Sequence, residues 1–318
     1  MLADPPNAFF SSFAFISVVI ALIPFHIHYR ARNIGVCLFM AWAAVGCLNA
    51  FINSVVWNNS IKNSAPVWCD ISTRIMIAGE LAYSTSNLCI ARQLYLQFSN
   101  KSWSMRKLEL VVDLFFGLGI PFLDVILSYI VQGNRFDIYE NVGCQPALVD
   151  MPPTYALVYS LPLIVSTAIL ILGVLIVRRH IISRHTDPTY DRTLLASFYD
   201  MSSRKLILCV GYALVTIPVT VHSMVVSMKK GGGFTQWPGW AAVHAQRSVV
   251  NTIPVAEWRA AANLAETLEL GRWGLVINAI YSFWLFGFVE EAPREYRRIL
   301  RTMRVWLRGA SGKEYAER

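Results

Sequence analysis

The chain has 318 residues, of which 55% are hydrophobic and only 15% charged, and its mean hydropathy is +0.45. A soluble domain normally carries about 25% charged residues, whereas the apolar residues here fall in long runs. The composition therefore excludes an ordinary soluble domain and indicates a polytopic membrane protein.

Hydropathy windows of about 20 residues define seven candidate spans, which we number in chain order. They lie near 7–28, 34–57, 68–94, 107–131, 154–177, 206–228 and 268–289. The first has no basic residue before it and no A-x-A site after it, so we expect an uncleaved anchor. Glu269 and Arg272 stand at the beginning of the seventh. The sequence predicts an all-α membrane protein with a seven-transmembrane helix bundle at 1–289.

The residues after the last span, 290–318, have a different pattern. Apolar residues from Tyr296 to Leu307 follow i, i+3, i+4, i+7 spacing, and arginines occupy most positions between them. This pattern predicts an amphipathic helix on the cytoplasmic membrane surface, followed by a short tail. A solvated charged tail is the alternative.

The basic residues indicate the orientation of the bundle. With the N-terminus outside, 20 of the 28 Lys and Arg residues fall on the cytoplasmic side, as the positive-inside rule requires. The net charge of +8 therefore reflects topology and attraction to anionic membrane lipid. We expect no nucleic-acid partner, because no basic soluble domain is present.

The cysteines fit this orientation. Cys69 and Cys144 lie at the outer face, where oxidation occurs, whereas Cys37, Cys47 and Cys89 lie within spans, as does Cys209. Sequence alone cannot prove a disulfide bridge. With two cysteines on the outer face, however, Cys69–Cys144 is the single pairing available.

Span three carries four ionisable side chains. At a rise of about 1.5 Å per residue, Glu80 lies about 16 Å below Cys69 and Arg92 about 34 Å below it, across a core of roughly 30 Å. Arg92 therefore lies at the inner boundary and Glu80 near the midplane. Asp70 and Arg74, spaced i, i+4, are predicted to form a local ion pair.

A midplane carboxylate is costly and should face the bundle interior, protonated or paired. Asp124 in span four reaches a similar depth, and Asn49, Asn53 and His222 are further candidate partners of Glu80. Two readings remain open for Glu80: a ligand or switch function, and structural hydrogen bonding between helices.

Several membrane activities lack their motifs. No Gly-x-Gly-Asp precedes Asp113 or Asp124, the histidines have no metal-ligand spacing, and no lysine in 273–289 could bind retinal. We therefore expect no enzyme, no metal and no cofactor. A polytopic transporter or ion channel using midplane carboxylates stays open as an alternative, although no inverted repeat is visible.

Short motifs then occur in order at matching places in the topology. They are Pro24-Phe-His26 with Asn33; Trp68-Cys-Asp-Ile71 with Leu88-Cys-Ile90 and Arg92; Gln132 to Ile138 with Gly143-Cys144 and Pro146; Ile253-Pro254 with Trp258; Arg272-Trp273; and Phe286-Gly-Phe288 with Glu291-Ala292. Over roughly residues 15–300 the chain resembles the fungal a-factor-type lipopeptide mating pheromone receptors, the class D G-protein-coupled receptors.

The resemblance implies a plasma-membrane receptor that binds a farnesylated peptide pheromone outside and activates a heterotrimeric G protein inside. Candidate ligand-binding residues are Asp70, Arg74, Glu80, Tyr83, Asp124, His222, Trp237, Trp240, Trp258 and Trp273. Candidate G-protein contacts are Arg92, Arg178, Arg179, Arg204 and Lys205.

The chain also departs from this pattern. Ala91 precedes Arg92, so no adjacent acid holds the arginine, and Glu80 stands where the family leads us to expect a neutral residue. Glu80 therefore has no role that the resemblance can assign.

Overall fold

The computed structural model describes residues 7–97, 106–186, 192–230 and 236–287, and all seven predicted spans are helical there. The helices are Asn7–Leu22 and Phe25–Arg30 (span one), Ile34–Val56 (two), Pro66–Gln97 (three), Arg106–Leu114 and Ile120–Ser128 (four), Pro152–Thr154 and Ser160–Thr186 (five), Arg192–Lys230 (six), and Ala262–Phe286 (seven). Within the described residues, five helices are long and apolar enough to cross a membrane, namely spans one, two, four, five and six.

Spans three and seven are 32 and 25 residues long, but charged and polar residues interrupt their apolar runs. Such residues are tolerated in a membrane helix when they face other helices. Span three meets this condition, because it packs against spans two, four, five and six. It is the central helix of the bundle.

Two predicted boundaries are wrong. The spans predicted near 154–177 and 206–228 leave a connecting loop at 178–205, yet span five continues to Thr186 and span six begins at Arg192. Span seven begins at Ala262, before the predicted 268. Hydropathy detects the apolar part of a helix, so it does not detect polar helical turns that continue outside the lipid. The predicted surface helix at 290–318 lies outside the described residues, so it and the domain boundary stay predictions.

Prolines lie within four of the spans. Span one breaks at Pro24, and Pro218 lies inside span six. π-Helical turns at Phe115–Gly119 and Tyr155–Tyr159 come just before Pro121 and Pro162. A proline has no N–H and displaces the carbonyl four residues earlier, and π-turns are one way in which a helix adjusts.

The carbonyl that Pro121 leaves free is that of Gly117. The indole nitrogen of Trp42 in span two donates to this oxygen at 3.0 Å. In a membrane an unpaired carbonyl would cost several kcal/mol, so Trp42 satisfies the break in span four and joins the two spans.

A three-stranded sheet, which the sequence did not predict, covers one end of the bundle. It consists of β1 (Phe136–Tyr139), β2 (Gly143–Gln145) and β3 (Val250–Ile253), in the order β2-β1-β3. β1 pairs antiparallel with β2 and parallel with β3. Short helices at Trp240–Val243 and Val255–Ala260 flank β3. We call this the sheet end and the other the opposite end.

The sheet packs closely on spans two and three. Trp57, Phe136 and Ile138 are buried there in one cluster with the two outer cysteines. Gly143 has a φ of 92°, which favours glycine, and a Cβ at this position would lie 2.6 Å from the Cβ of Asn53. The hairpin can therefore approach span two only because residue 143 has no side chain.

Candidate functional site

A disulfide fixes the sheet to the bundle. Cys69 at the beginning of span three is bonded to Cys144 in β2, with Cα atoms 5.3 Å apart. The predicted pairing is confirmed. The other cysteines, at 37, 47, 89 and 209, are free and buried.

Asp70 does not pair with Arg74, so the predicted local ion pair is wrong. Its carboxylate accepts two hydrogen bonds from Arg135, at 3.0 Å from Nε and 2.5 Å from Nη2. This fork geometry matches a carboxylate better than a single i, i+4 contact does. The hydrogen bond and charge of Asp70 raise the pKa of Arg135 above its ordinary value.

Arg74 bonds elsewhere. Its Nη2 donates to Oε1 of Gln132 at 2.6 Å. Gln132 is held in place because its amide nitrogen donates to the carbonyls of Asn134 and Arg135. Span three thus makes two side-chain connections to the segment between span four and β1, besides the disulfide. Gln132 and Arg135 were visible as motif residues, but their partners could not be read from the sequence.

Glu80 is the exception in the middle of span three. From Ile77 to Ala91 all other side chains are buried, apart from a half-buried Leu88, whereas Glu80 is exposed. Protein atoms nevertheless surround it densely, and it interacts electrostatically with Asp124, Tyr159 and Tyr212. Because span three packs against spans two, four, five and six, we infer that Glu80 faces a space between these helices.

Asp124 in span four is 6% exposed, and its Oδ1 has no hydrogen-bond partner among the described residues. Asp124 is also an electrostatic neighbour of Glu80, and we call the group the central chamber: Glu80, Asp124, Tyr159 and Tyr212, contributed by spans three to six. Tyr212 also lies 3.4 Å, oxygen to oxygen, from Ser84 of span three.

The other suggested partners of Glu80 are engaged elsewhere. Asn53 donates to the hydroxyl of Ser72 at 2.8 Å and accepts from the indole of Trp68 at 2.8 Å. Asn49 donates to the Ser72 carbonyl. His222 faces Glu266 of span seven, with Nε2 and Oε1 4.0 Å apart. These residues connect helices near the sheet end.

Two predicted ligand-binding aromatic residues pack within the bundle. Tyr83 is buried and donates to the carbonyl of Trp42 at 3.0 Å. Trp273 makes an edge contact with Phe10, with ring centroids 5.3 Å apart. A ligand role for them stays a prediction.

The three loop tryptophans lie at the sheet end in different settings. Trp258 is 1% exposed, and its indole donates to the carbonyl of Glu140 at 3.2 Å. This hydrogen bond connects the short helix before span seven to the end of β1. Trp240 is exposed and stacks on His244 at 4.2 Å, and Trp237 is exposed. Of the three, Trp237 and Trp240 offer surface to a ligand or to lipid headgroups.

An acid that the sequence reading missed holds Arg92 at the opposite end. Asp113 of span four is 1% exposed, and its Oδ1 accepts from Arg92 Nη2 at 2.7 Å. Gln93 donates to the second carboxylate oxygen. The acid missing beside Arg92 in the sequence is thus supplied by a neighbouring helix, which nothing in the spacing could reveal.

The remaining predicted G-protein contacts differ in accessibility. Lys205 is 4% exposed, and its Nζ donates to Oδ1 of Asn33 at 3.0 Å. Arg204 donates to the carbonyl of Leu285 at 3.0 Å. Arg179 lies over the ring of Tyr95, 4.5 Å from its centroid. Arg178 is exposed.

The chain is similar to known proteins over most of its length. The STE3 model, described as Pheromone A receptor, matches residues 9–305. The chain is 34% identical over 302 residues to the Pheromone B alpha 3 receptor of Schizophyllum commune, covering 93% of this chain and 48% of that protein.

More distant relatives give the same result. Pheromone receptor 1 of Ustilago hordei is 31% identical over 93% of this chain and 83% of its own length. The Pheromone a factor receptor of Saccharomyces cerevisiae is 21% identical over 91% of this chain and 61% of its own length. The chain spans about half the length of its Schizophyllum relatives, 48% in the first case. Since the family match runs through all seven spans, the chain belongs to the STE3 pheromone A receptor family, a multi-pass family of receptors rather than enzymes.

Proposed function

We propose that this protein is a mating pheromone receptor that binds a farnesylated peptide and activates a heterotrimeric G protein. The observation that carries the proposal is the family match across the whole bundle. The related proteins are named as pheromone receptors, so the transporter or channel alternative is not favoured.

The proposed orientation in the plasma membrane has the sheet end outside and the opposite end in the cytoplasm. The disulfide at the sheet end supports this, because the outer face is the oxidising one, and so does the distribution of basic residues. An epitope tag at residue 1 should bind antibody on intact cells, and one at residue 318 only after permeabilisation. The reverse pattern would overturn the orientation.

The two ends fit the proposed roles. The central chamber is formed by side chains of spans three to six, and we propose that it receives the peptide. Arg92 and Asp113 join spans three and four at the opposite end. By population shift, a ligand activates only if it binds better to the state in which the opposite end is open.

The test is pheromone-dependent signalling in a yeast reporter strain that lacks its own pheromone receptors. A panel of farnesylated, methyl-esterified peptides should contain at least one agonist, and the same peptide without its farnesyl group should be far weaker. Silence across the panel, with receptor present at the surface, would contradict the proposed function. Response to the bare peptide would contradict the lipid requirement.

A further inference from the structure

The central chamber holds two carboxyl groups from different helices. Asp124 contributes to the electrostatic surroundings of Glu80, and Oδ1 of Asp124 is unpartnered among the described residues although this residue is only 6% exposed. A buried acceptor without a donor is unfavourable. This oxygen is therefore available to a hydrogen-bond donor that the described residues do not supply.

Nothing in the described part of the chain neutralises the two acids. No Lys, Arg or His side chain of the described residues forms an ion pair with Glu80 or Asp124. The nearest polar groups are hydroxyls, those of Tyr159 and Tyr212. Hydroxyl and carboxylate oxygens around one space complement a positive hydrogen-bond donor, and aromatic rings favour a cation further.

A series of hydrogen bonds connects the chamber to the sheet end. Asp150, in the loop after β2, accepts from the hydroxyl of Ser227 at 2.5 Å, and Ser227 accepts from Tyr159 at 3.4 Å. Tyr159 in turn neighbours Glu80. Among the arginines of the sheet end, Arg74 and Arg135 bond to Gln132 and Asp70 on the side of span three and β1.

We propose that Glu80 and Asp124 receive a positively charged group of the pheromone, either a lysine or arginine side chain or the terminal amine. This inference rests on the proposed function and gives the peptide part of the ligand its chemistry. Glu80 is exposed to the space and makes the direct contact. Asp124 supplies the second carboxylate, and Tyr159 and Tyr212 line the site.

The experiment is a double-mutant cycle between receptor and peptide in the yeast reporter. The probe is a farnesylated agonist from the panel, compared with versions in which arginine becomes citrulline, lysine becomes acetyl-lysine, or the terminal amine is acetylated. One neutralisation should raise the half-maximal concentration at least about tenfold on the wild type. On Glu80→Gln the charged and neutral peptides should be nearly equal.

Glu266→Gln is the matched control, because Glu266 is exposed and faces His222. It should keep the wild-type preference for the charged peptide. Surface expression is measured with a tag at residue 1. If Glu80→Gln does not reach the surface, Asp124→Asn replaces it in the same double-mutant cycle. If every neutralised peptide is as potent as the charged agonist on the wild-type receptor, the proposal is overturned, and this result requires no receptor variant.

The outcomes separate the two proposals. If no peptide activates the wild type, the proposed function fails. If agonists exist but neutralising the peptide and the receptor has additive effects, only the charge contact fails. Potency that changes when sodium chloride is replaced by choline chloride, and not with peptide charge, would assign the chamber to an inorganic cation and also overturn the proposal.

Discussion

At the scale of single residues, Asp113 and Trp42 each satisfy a group that would otherwise be buried without a partner. Asp113 holds the charge of Arg92 between spans three and four. Trp42 donates to the Gly117 carbonyl that Pro121 leaves free. Neither contact is local in sequence, so each fixes one span against another.

We expect Asp113→Asn to raise signalling without pheromone several-fold. Removing one partner of a buried ion pair leaves the other charge uncompensated, which destabilises the resting arrangement of spans three and four. Basal reporter activity at matched surface expression is the measurement. Glu109→Gln is the control, because Arg92 reaches only the backbone carbonyl of Glu109. Unchanged basal activity in Asp113→Asn would show that this pair does not restrain the receptor.

Trp42→Phe should lower the stability of the receptor by about 1–3 kcal/mol, because a buried carbonyl loses its donor. The measurement is thermal unfolding of the purified protein in detergent. Trp284→Phe removes the same indole N–H from a residue that is 64% exposed, so its midpoint should stay near that of the wild type. Equal midpoints for the two variants would contradict the role of Trp42.

At the scale of elements, the sheet joins segments that are far apart in the chain. Ile138 of β1 is opposite Cys144 on one side and Thr252 on the other. The side chain of Asn251 donates to Asp137 at 3.0 Å, and the amide of Val255 donates to Glu140 at 2.8 Å. Burial raises the pKa of Tyr139 in β1 to about 12, so this ring stays neutral.

Cys69→Ser should destabilise the sheet end markedly. The bridge closes a loop with a sequence separation of 75 residues, for which the chain-entropy model gives on the order of 4 kcal/mol. We expect a lower thermal midpoint and less receptor at the surface. Cys69→Ser with Cys144→Ser should be no worse than either single variant, since all remove one bond. A double variant that is clearly worse would mean that the cysteines act separately.

At the scale of the whole molecule, the opposite end is joined by polar contacts between early and late spans. Lys205 of span six bonds to Asn33, which begins span two. His28 of span one is fully buried against the ring of Phe286 at the end of span seven. Separation of these spans at the opposite end requires that such contacts break.

Asn33→Ala should weaken this connection and lower the thermal midpoint, because the buried Lys205 loses its acceptor. Asn33→Asp keeps an acceptor and adds a compensating charge, so it should restore the midpoint or raise it. The comparison is made by thermal unfolding with surface expression as a second reading. If both variants behave alike, the contact with Lys205 contributes nothing.

The sequence predicted what depends on local pattern. Seven apolar runs predicted the helices. The distribution of Lys and Arg predicted the orientation, which left Cys69 and Cys144 as the two cysteines on the outer face. Asp70–Arg135 and Arg92–Asp113 could not be predicted, because they join residues 65 and 21 positions apart on different elements. The sheet could not be predicted for the same reason, because neither short strand contains a sequence pattern that indicates the parallel pairing of β1 with β3.

The pairing of β1 with β3 has a practical consequence for exchanging loops between relatives. The loop before span five and the loop before span seven supply adjacent strands of one sheet. A chimera that receives only one of them must pair a foreign strand against a native one, with side chains that were not selected together. Recognition specificity at this end is therefore expected to be inherited as a two-loop unit, so donor segments should be transplanted jointly.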